Sequence, residues 1–145
     1  MEAGMDTIDP GRRSENMRQI KSRDTRPELL VRGLAHSLGY RFRLHRRDLP
    51  GSPDLVFVRL CKIIFVHGCF WHQHSKCAGG RLPRSRKAYW RAKFLRNTRR
   101  DKTVMKELRR LGWSVLVIWE CETLNQSRVK RRIDRFLGRA RLRRP

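Results

Sequence analysis

The chain has 145 residues, of which 36 are Lys or Arg and 13 are Asp or Glu, so its formal charge is +23. This length suits one domain with a core of its own, and no stretch approaches the roughly 18 consecutive apolar residues of a membrane span. Residues 1–13 contain no apolar run. We therefore expect a folded cytoplasmic protein and neither a secreted nor a membrane protein.

The positive charge favours an anionic partner. So many positive charges repel one another unless an anionic partner binds them. A phosphate backbone gains affinity from many Lys and Arg contacts through counterion release. A solvated face with a basic tail is the plain alternative. An anionic membrane is a weaker one, because no long amphipathic helix combines a basic face with a bulky apolar face.

Two helices are predicted near the amino end. The polar, basic segment 12–22 predicts a short helix that lies on the surface or on DNA. Thr25 caps a second helix, Glu28 completes a capping box three residues later, and Gly39 ends the helix. Its predicted apolar stripe consists of Leu29, Leu30, Leu34 and Leu38.

A strand region and an irregular loop follow. Residues 40–45 alternate weakly and predict a strand, and 49–53 form a turn. The apolar runs 54–58 and 61–66 predict a hairpin of buried strands. Residues 68–83 hold Gly, Cys, His and Ser without periodicity, which predicts an irregular loop.

The remaining elements complete an α/β pattern. A long helix is predicted over 85–111, a buried strand over 113–119 and a last amphipathic helix over about 127–137. One face of the long helix carries Trp90, Phe94, Asn97, Asp101, Met105 and Leu108. The last helix turns Val129, Ile133 and Phe136 inward. The order predicts one α/β domain with a mixed sheet and helices packed against it.

The cysteines point to a metal rather than to disulfides. Cys69, Cys77 and His74 share the irregular loop and Cys121 follows a strand, so three thiolates and one imidazole are available for a tetrahedral zinc ion. A glycine-rich loop has little core, and a metal can hold it in place. The alternative is a set of unrelated buried thiols, and Cys61, at the start of a strand, is predicted to be plain core.

Histidine and aspartate residues in the same region suggest acid–base and metal chemistry. Once one histidine is used for zinc, His67 and His72 remain as proton carriers or phosphate contacts. Asp54 opens a buried strand, the position from which many nucleases hold Mg²⁺ beside a phosphate. A turn-capping role for Asp54 is the alternative.

Aromatic residues are interleaved with basic ones. Phe70 and Trp71 lie between the candidate zinc ligands, where no helical or strand period explains them, and Tyr89 and Trp90 begin the long helix. Aromatic side chains beside a basic surface can enter a base stack. For Trp90, a place in the core is an equal alternative.

Several motifs together resemble one family, the very short patch repair (Vsr) DNA mismatch endonucleases. They are 13–18 (RSENMR), 22–25 (SRDT), 53–54 (PD), 65–74 (FVHGCFWHQH) and 119–121 (WEC). The resemblance extends over about 12–137. It implies a restriction-endonuclease-like fold with a structural zinc site. It also implies a Mg²⁺-dependent, strand-specific nick 5′ of the mispaired T in T:G mismatches that arise from 5-methylcytosine deamination.

Roles follow from the resemblance position by position. The implied Mg²⁺ ligands are the Asp54 side chain and the Val66 backbone carbonyl. His72 matches the general base on water. The other implied catalytic residues are Glu28, His67 and Asp101. The implied zinc ligands are Cys69, His74, Cys77 and Cys121, with Cys61 as the other candidate for the Cys77 position, because the loop after His74 is one residue longer. The implied intercalating residues are Phe70, Trp71, Trp90 and Met17.

The resemblance also predicts organisation and partners. Residues 1–24 would form a DNA-clamping arm, 25–138 the endonuclease domain and 139–145 a basic tail. The expected partner is double-stranded DNA with a T:G mismatch, with mismatch-repair proteins as further candidates, for a monomer associated with the bacterial nucleoid. Two alternatives remain: a restriction-like or homing-associated nickase of the same fold, and a non-catalytic zinc-stabilised DNA-binding module.

Overall fold

The computed structural model describes residues 24–74, 77 and 83–138. Its helices are α1 (Arg26–Ser37), α2 (Lys87–Arg110) and α3 (Gln126–Gly138). Its strands are β1 (Arg43–Leu44), β2 (Leu55–Phe57), β3 (Lys62–His67) and β4 (Ser114–Trp119). The 3₁₀ turns Val58–Leu60 and Glu120–Leu124 follow β2 and β4. The predicted helix at 12–22, Met17 and the basic tail lie outside the described residues.

The four strands form one mixed sheet in the order β1-β2-β3-β4. β1 and β2 are antiparallel, as are β2 and β3, which confirms the predicted hairpin. β3 and β4 are parallel, and α2 makes the crossover between them. The predicted α/β class with a mixed sheet is therefore confirmed.

Alternation along the strands separates two apolar layers. Leu55, Phe57 and Ile64 face α1 and α3, whereas Val56 and Ile63 face α2. The molecule therefore has three layers, with α1 and α3 on one face of the sheet and α2 on the other. None of the helices in the described part of the chain is both apolar and long enough to cross a lipid bilayer.

The buried face of α1 follows the predicted leucine stripe only in part: Leu34 and Leu38 pack against the core, but they are not its most buried residues. Glu28, Val31 and Ala35 are its buried residues, and Leu29 is 51% exposed. The small side chains of Val31 and Ala35 let the helix lie close to the sheet and α3. Leu29 follows the buried Glu28 by one residue and is therefore turned away from this face. The cap is as predicted: Thr25 Oγ1 accepts from the Glu28 N–H, and Gly39 follows the helix with φ +90°.

Cys61 is also placed differently from the prediction. It is exposed, with a left-handed φ of +53°, in the turn that joins the 3₁₀ segment to β3. The turn between β2 and β3 thus ends one residue later than the apolar run indicated, and Cys61 is not part of the core.

Candidate active site

A cavity of about 720 Å³ lies where β2 begins and β3 ends. Asp54, which precedes β2, and His67, the last residue of β3, line it from the sheet. Glu28 of α1 and Asp101 of α2 line it from the two helical layers. Gly51 keeps the loop before Asp54 close to α2, because a Cβ there would lie 2.5 Å from Val104. Residues from four parts of the sequence thus meet at one end of the sheet.

Asp54 faces the cavity in an environment that disfavours its charge. Its Oδ2 accepts a hydrogen bond from the Val66 N–H at 2.7 Å. The pKa of Asp54 is raised to about 7, chiefly by burial; the Val66 N–H acts against this rise, and the negative charge of Glu28 adds to it. A bound divalent cation would offset both effects, so the donor set fits Mg²⁺. Val66 also lines the cavity.

Glu28 is held at the start of α1 by its own helix cap. Its side chain is buried, with Oε2 accepting from the Thr25 hydroxyl at 2.9 Å and Oε1 accepting from the Asp24 N–H at 3.1 Å. The capping box therefore closes on the N–H of Asp24, one residue before Thr25. One ligand atom from each of Glu28, His45 and Asp54 lies within 4.8 Å of the others.

Sequence reasoning missed Arg32 and His45. Arg32 donates to Asp24 at 2.7 Å and to His45 Nε2 at 2.9 Å, and it lies 3.5 Å from Glu28 Oε1. Because a guanidinium only donates, His45 Nε2 is the acceptor and its proton lies on Nδ1. The i,i+4 spacing of Glu28 and Arg32 was the available signal, whereas nothing local indicated that His45 joins them.

His72 and Asp101 form a close pair on the opposite wall. His72 Nδ1 lies 2.6 Å from Asp101 Oδ2. A carboxylate accepts, so Nδ1 carries the proton and Nε2 is free to take one. This contact explains why an aspartate interrupts the apolar face of α2. Asn97, the other polar residue of that face, donates to the Trp71 carbonyl at 3.3 Å and supports the loop that carries His72.

His67 packs beneath this pair. Its ring stacks on that of His72 with centroids 3.8 Å apart and planes 4° apart. The pKa of His67 is lowered to about 4, chiefly by burial and also by the adjacent His72, so His67 is neutral at neutral pH. Its Nδ1 is buried without a hydrogen-bond partner among the described residues. A polar group in the cavity would satisfy that atom.

The predicted zinc ligands come together beside the cavity. One ligand atom from each of Cys69, His74, Cys77 and Cys121 lies within 4.8 Å of the others. His74 Nδ1 is 3.7 Å from Cys69 Sγ and 3.4 Å from Cys121 Sγ. Neighbouring ligands of a tetrahedral zinc ion are about 3.5–3.8 Å apart, given Zn–S and Zn–N lengths of about 2.3 and 2.0 Å, so the cluster fits zinc.

The thiols of this cluster are difficult to ionise on their own. Burial raises the pKa of Cys69 to about 12, and burial also raises that of Cys121. A metal cation supplies the charge that three neighbouring thiolates require. The His74 ring stacks on Trp119 at 4.2 Å, which fixes its orientation toward the sulfurs. Cys61, in the turn before β3, is not one of the four clustered residues.

The aromatic residues form one cluster at the edge of the site. Phe70 lies 5.0 Å from Phe94 and 5.6 Å from Trp90, and Trp71 lies 6.2 Å from Trp90, measured between ring centroids. Trp90 is only 8% exposed, whereas Phe70 and Trp71 are half-buried. In this structure Trp90 therefore belongs to the packed base of the cluster, and Phe70 and Trp71 form its accessible part.

The site defines a class of protein. Two carboxylates and a histidine–aspartate pair face one cavity on a chain of charge +23, which is the arrangement of a nuclease. A family model described as DNA mismatch endonuclease Vsr matches residues 5–78. The chain belongs to the Vsr family of DNA mismatch endonucleases.

Curated relatives agree with this assignment. The chain is 48% identical over 132 residues to the type II nicking enzyme V.XorIIP of Xanthomonas oryzae pv. oryzae, covering 91% of this chain and 96% of the relative. It is 37% identical over 137 residues to the DNA mismatch endonuclease Vsr of Escherichia coli (strain K12), covering 91% and 87%. The type II nicking enzyme V.NmeAIP of Neisseria meningitidis is 36% identical, covering 91% and 94%.

Proposed function

We propose that this endonuclease cuts one strand of a duplex at a T:G mismatch, 5′ of the mispaired thymine, in the presence of Mg²⁺. The observation that supports this most directly is the meeting of Asp54 and His72 in one cavity. Family membership makes the protein an endonuclease, so the alternative of a non-catalytic DNA-binding module is set aside.

Asp54 and the Val66 carbonyl would hold the Mg²⁺ ion. Mg²⁺ bound there would supply Lewis-acid stabilisation of the charge that develops on the scissile phosphate. Glu28, fixed by the α1 cap, would hold water or metal on the same side of the cavity.

His72 would take the proton of the attacking water. With Nδ1–H donated to Asp101, its Nε2 is the free base, and the carboxylate stabilises the imidazolium that forms. His67 remains neutral beneath it, and its unpartnered Nδ1 would hold a water or a phosphate oxygen.

The neighbouring features would position the DNA. A zinc ion on Cys69, His74, Cys77 and Cys121 would anchor the loop that carries His72. Phe70 and Trp71, with Trp90 behind them and Met17 from the arm 1–24, would insert beside the mismatch. Residues 25–138 would then be the endonuclease domain and 139–145 a tail that contacts phosphate. Monomeric action, a nucleoid location and contact with mismatch-repair proteins stay predictions.

Cleavage mapping tests the proposal. Duplexes carrying one T:G pair, the paired T:A and C:G controls, and the same mismatch with the strands exchanged would be incubated with and without Mg²⁺. We expect a single nick 5′ of the mispaired T, only with Mg²⁺. Equal cutting of the fully paired duplexes would contradict mismatch specificity and would favour a restriction-like nickase. Equal cutting of both strands would contradict the strand choice.

A further inference from the structure

Helix α3 carries an excess of positive charge that the proposed reaction does not use. Among its 13 residues, five are Lys or Arg and one is acidic. Val129, Ile133 and Leu137 are buried against the sheet and α1. Hydrophobic packing accounts for that face, but it gives no reason for the basic residues on the other one.

Three of the arginines form a line on the outer face of α3. Arg128, Arg131 and Arg135 are exposed and occupy positions i, i+3 and i+7, on the side of the helix opposite Val129 and Ile133. We call these three residues the α3 ridge. At 1.5 Å per residue the ridge is about 10 Å long, so its guanidinium groups can follow successive phosphates of one strand.

The ridge arginines differ from the neighbouring Arg132 in their ion pairs. Arg132, which is turned toward the 3₁₀ segment after β4, forms an ion pair with Glu122. Arg128, Arg131 and Arg135 have no ion pair with any residue in the ranges that the structure covers. Their charge is therefore available to an external anion.

The ridge and the cavity lie in different places: the cavity is at the end of the sheet, between Glu28 of α1 and Asp101 of α2, whereas the ridge is on the outer face of α3. Phe65, which lines the cavity, packs with Val56 and Leu108 in the layer covered by α2. Helix α3 covers the other face of the sheet, and its ridge points away from that sheet. A DNA segment seated in the cavity would lie at the end of the sheet, whereas the ridge points in another direction, away from the sheet and toward solvent.

We propose that the α3 ridge binds a second segment of duplex DNA while the cavity holds the first. The proposal rests on the action of this family on DNA and not on mismatch specificity. Duplex DNA fits the ridge through charge complementarity and is already the polyanion on which the enzyme acts. Binding through phosphates alone would be independent of sequence, and it would keep the enzyme on long DNA between encounters with target sites.

A capture experiment tests the ridge. The protein is first bound, without Mg²⁺, to a fluorescently labelled T:G duplex of about 20 bp, roughly two helical turns. A second, fully paired duplex that carries another fluorophore is then added in increasing amounts. Energy transfer between the two fluorophores reports the ternary complex. We compare the wild type with the triple variant R128Q/R131Q/R135Q. We expect capture by the variant to weaken at least about tenfold. For the variant, the slope of log K for capture against log salt concentration should be smaller in magnitude by about 2.7, since each lost phosphate contact removes about 0.9 from that slope.

Two further variants make the comparison specific. R128K/R131K/R135K keeps the charge and should keep capture. R59Q/R109Q/R110Q removes three exposed arginines at the end of the sheet away from the cavity, and it should capture like the wild type. Nicking of the short T:G duplex by the ridge variant should equal that of the wild type, which also reports correct folding.

The outcomes separate this proposal from the proposed function. Absence of capture by the wild type, or equal capture by the wild type and the ridge variant, would overturn the second DNA site. An equal loss of capture in the ridge variant and in R59Q/R109Q/R110Q would do the same, because it would reflect net charge alone. Failure to nick T:G duplexes would overturn the proposed function and leave the capture result interpretable on paired DNA.

Discussion

Two clusters of ligating side chains lie close together in this molecule and differ in almost every property. The sulfur-rich cluster (Cys69, His74, Cys77 and Cys121) takes three of its four members from one loop. The carboxylate side of the cavity combines Glu28 and Asp54 from distant elements. Soft thiolates with imidazole form a closed zinc site, whereas hard oxygens leave positions for water and phosphate. A metal in the sulfur-rich cluster can therefore fix the shape of the loop, and a metal on the carboxylate side can take part in the reaction.

The substitution with the largest expected effect acts on the carboxylate side. We expect Asp54→Ala to lower single-turnover nicking at least about 10⁴-fold, about 5 kcal/mol of transition-state stabilisation, because it removes the proposed Mg²⁺ ligand. DNA affinity and zinc content should stay unchanged. Glu107→Ala, which removes an exposed carboxylate from the far end of α2, is the control. A rate above a tenth of the wild-type rate for Asp54→Ala would contradict the assignment.

The next effect concerns the residue that connects the two clusters. His72 lies between the zinc candidates Cys69 and His74 in sequence, yet it faces the cavity. Loss of a general base costs about 10²–10⁴ in rate, and we expect about 10³ for His72→Ala. Asp101→Asn should cost less, because the imidazole remains. The measurement is the single-turnover rate at saturating enzyme, with His36→Ala on the exposed face of α1 as the control. Equal rates for His72→Ala and the control would remove His72 from the mechanism.

Breaking the sulfur-rich cluster should lower stability and activity together. We expect Cys121→Ser to reduce bound zinc, measured by metal analysis, to lower the melting temperature, and to lower nicking about 10²-fold because the loop carrying His72 is released. Addition of a strong zinc chelator to the wild type should have the same consequences.

The fourth cysteine is the matched control for this experiment. Cys61 is exposed in the turn before β3, away from the cluster, so Cys61→Ser should keep zinc, melting temperature and rate. Zinc loss in Cys61→Ser with retention in a Cys77→Ser variant would reverse the ligand assignment.

The smallest expected effect is that of Arg32, which supports the carboxylate side. Arg32→Ala removes an ion pair to Glu28 and contacts to Asp24 and His45. Glu28 keeps its bonds to Thr25 and to the Asp24 N–H, so we expect only about a tenfold loss of rate, about 1.4 kcal/mol, together with a higher Mg²⁺ concentration at half-maximal rate. Arg32→Lys should recover part of the loss. An unchanged Mg²⁺ dependence in Arg32→Ala would assign Arg32 to helix stability alone.

The sequence predicted those parts of the fold that depend on local signals. The Thr25 cap, the hairpin of β2 and β3, and the long face of α2 all rest on spacing within one element, and all are present. The last helix also has Val129 and Ile133 buried as predicted. Local propensity and periodicity are sufficient for such features.

Features that depend on tertiary packing could not be predicted from local sequence signals. The buried face of α1 is set by its contact with the sheet and α3, and two small residues were favoured there over Leu29. The contact between Arg32 and His45 joins residues 13 positions apart through a left-handed turn at His45. No period in the sequence encodes either arrangement.

The order of residues in the loop that carries His72 determines where the length of that loop can change without moving this histidine. His72 lies between Cys69 and His74, both of which contribute to the same cluster, so a metal bound there would clamp the chain on either side of it. Insertions or deletions between Cys77 and the start of α2 would not change the chain between Cys69 and His74. Such changes in length would therefore leave unaltered the spacing between His72 and the two proposed ligands on either side of it.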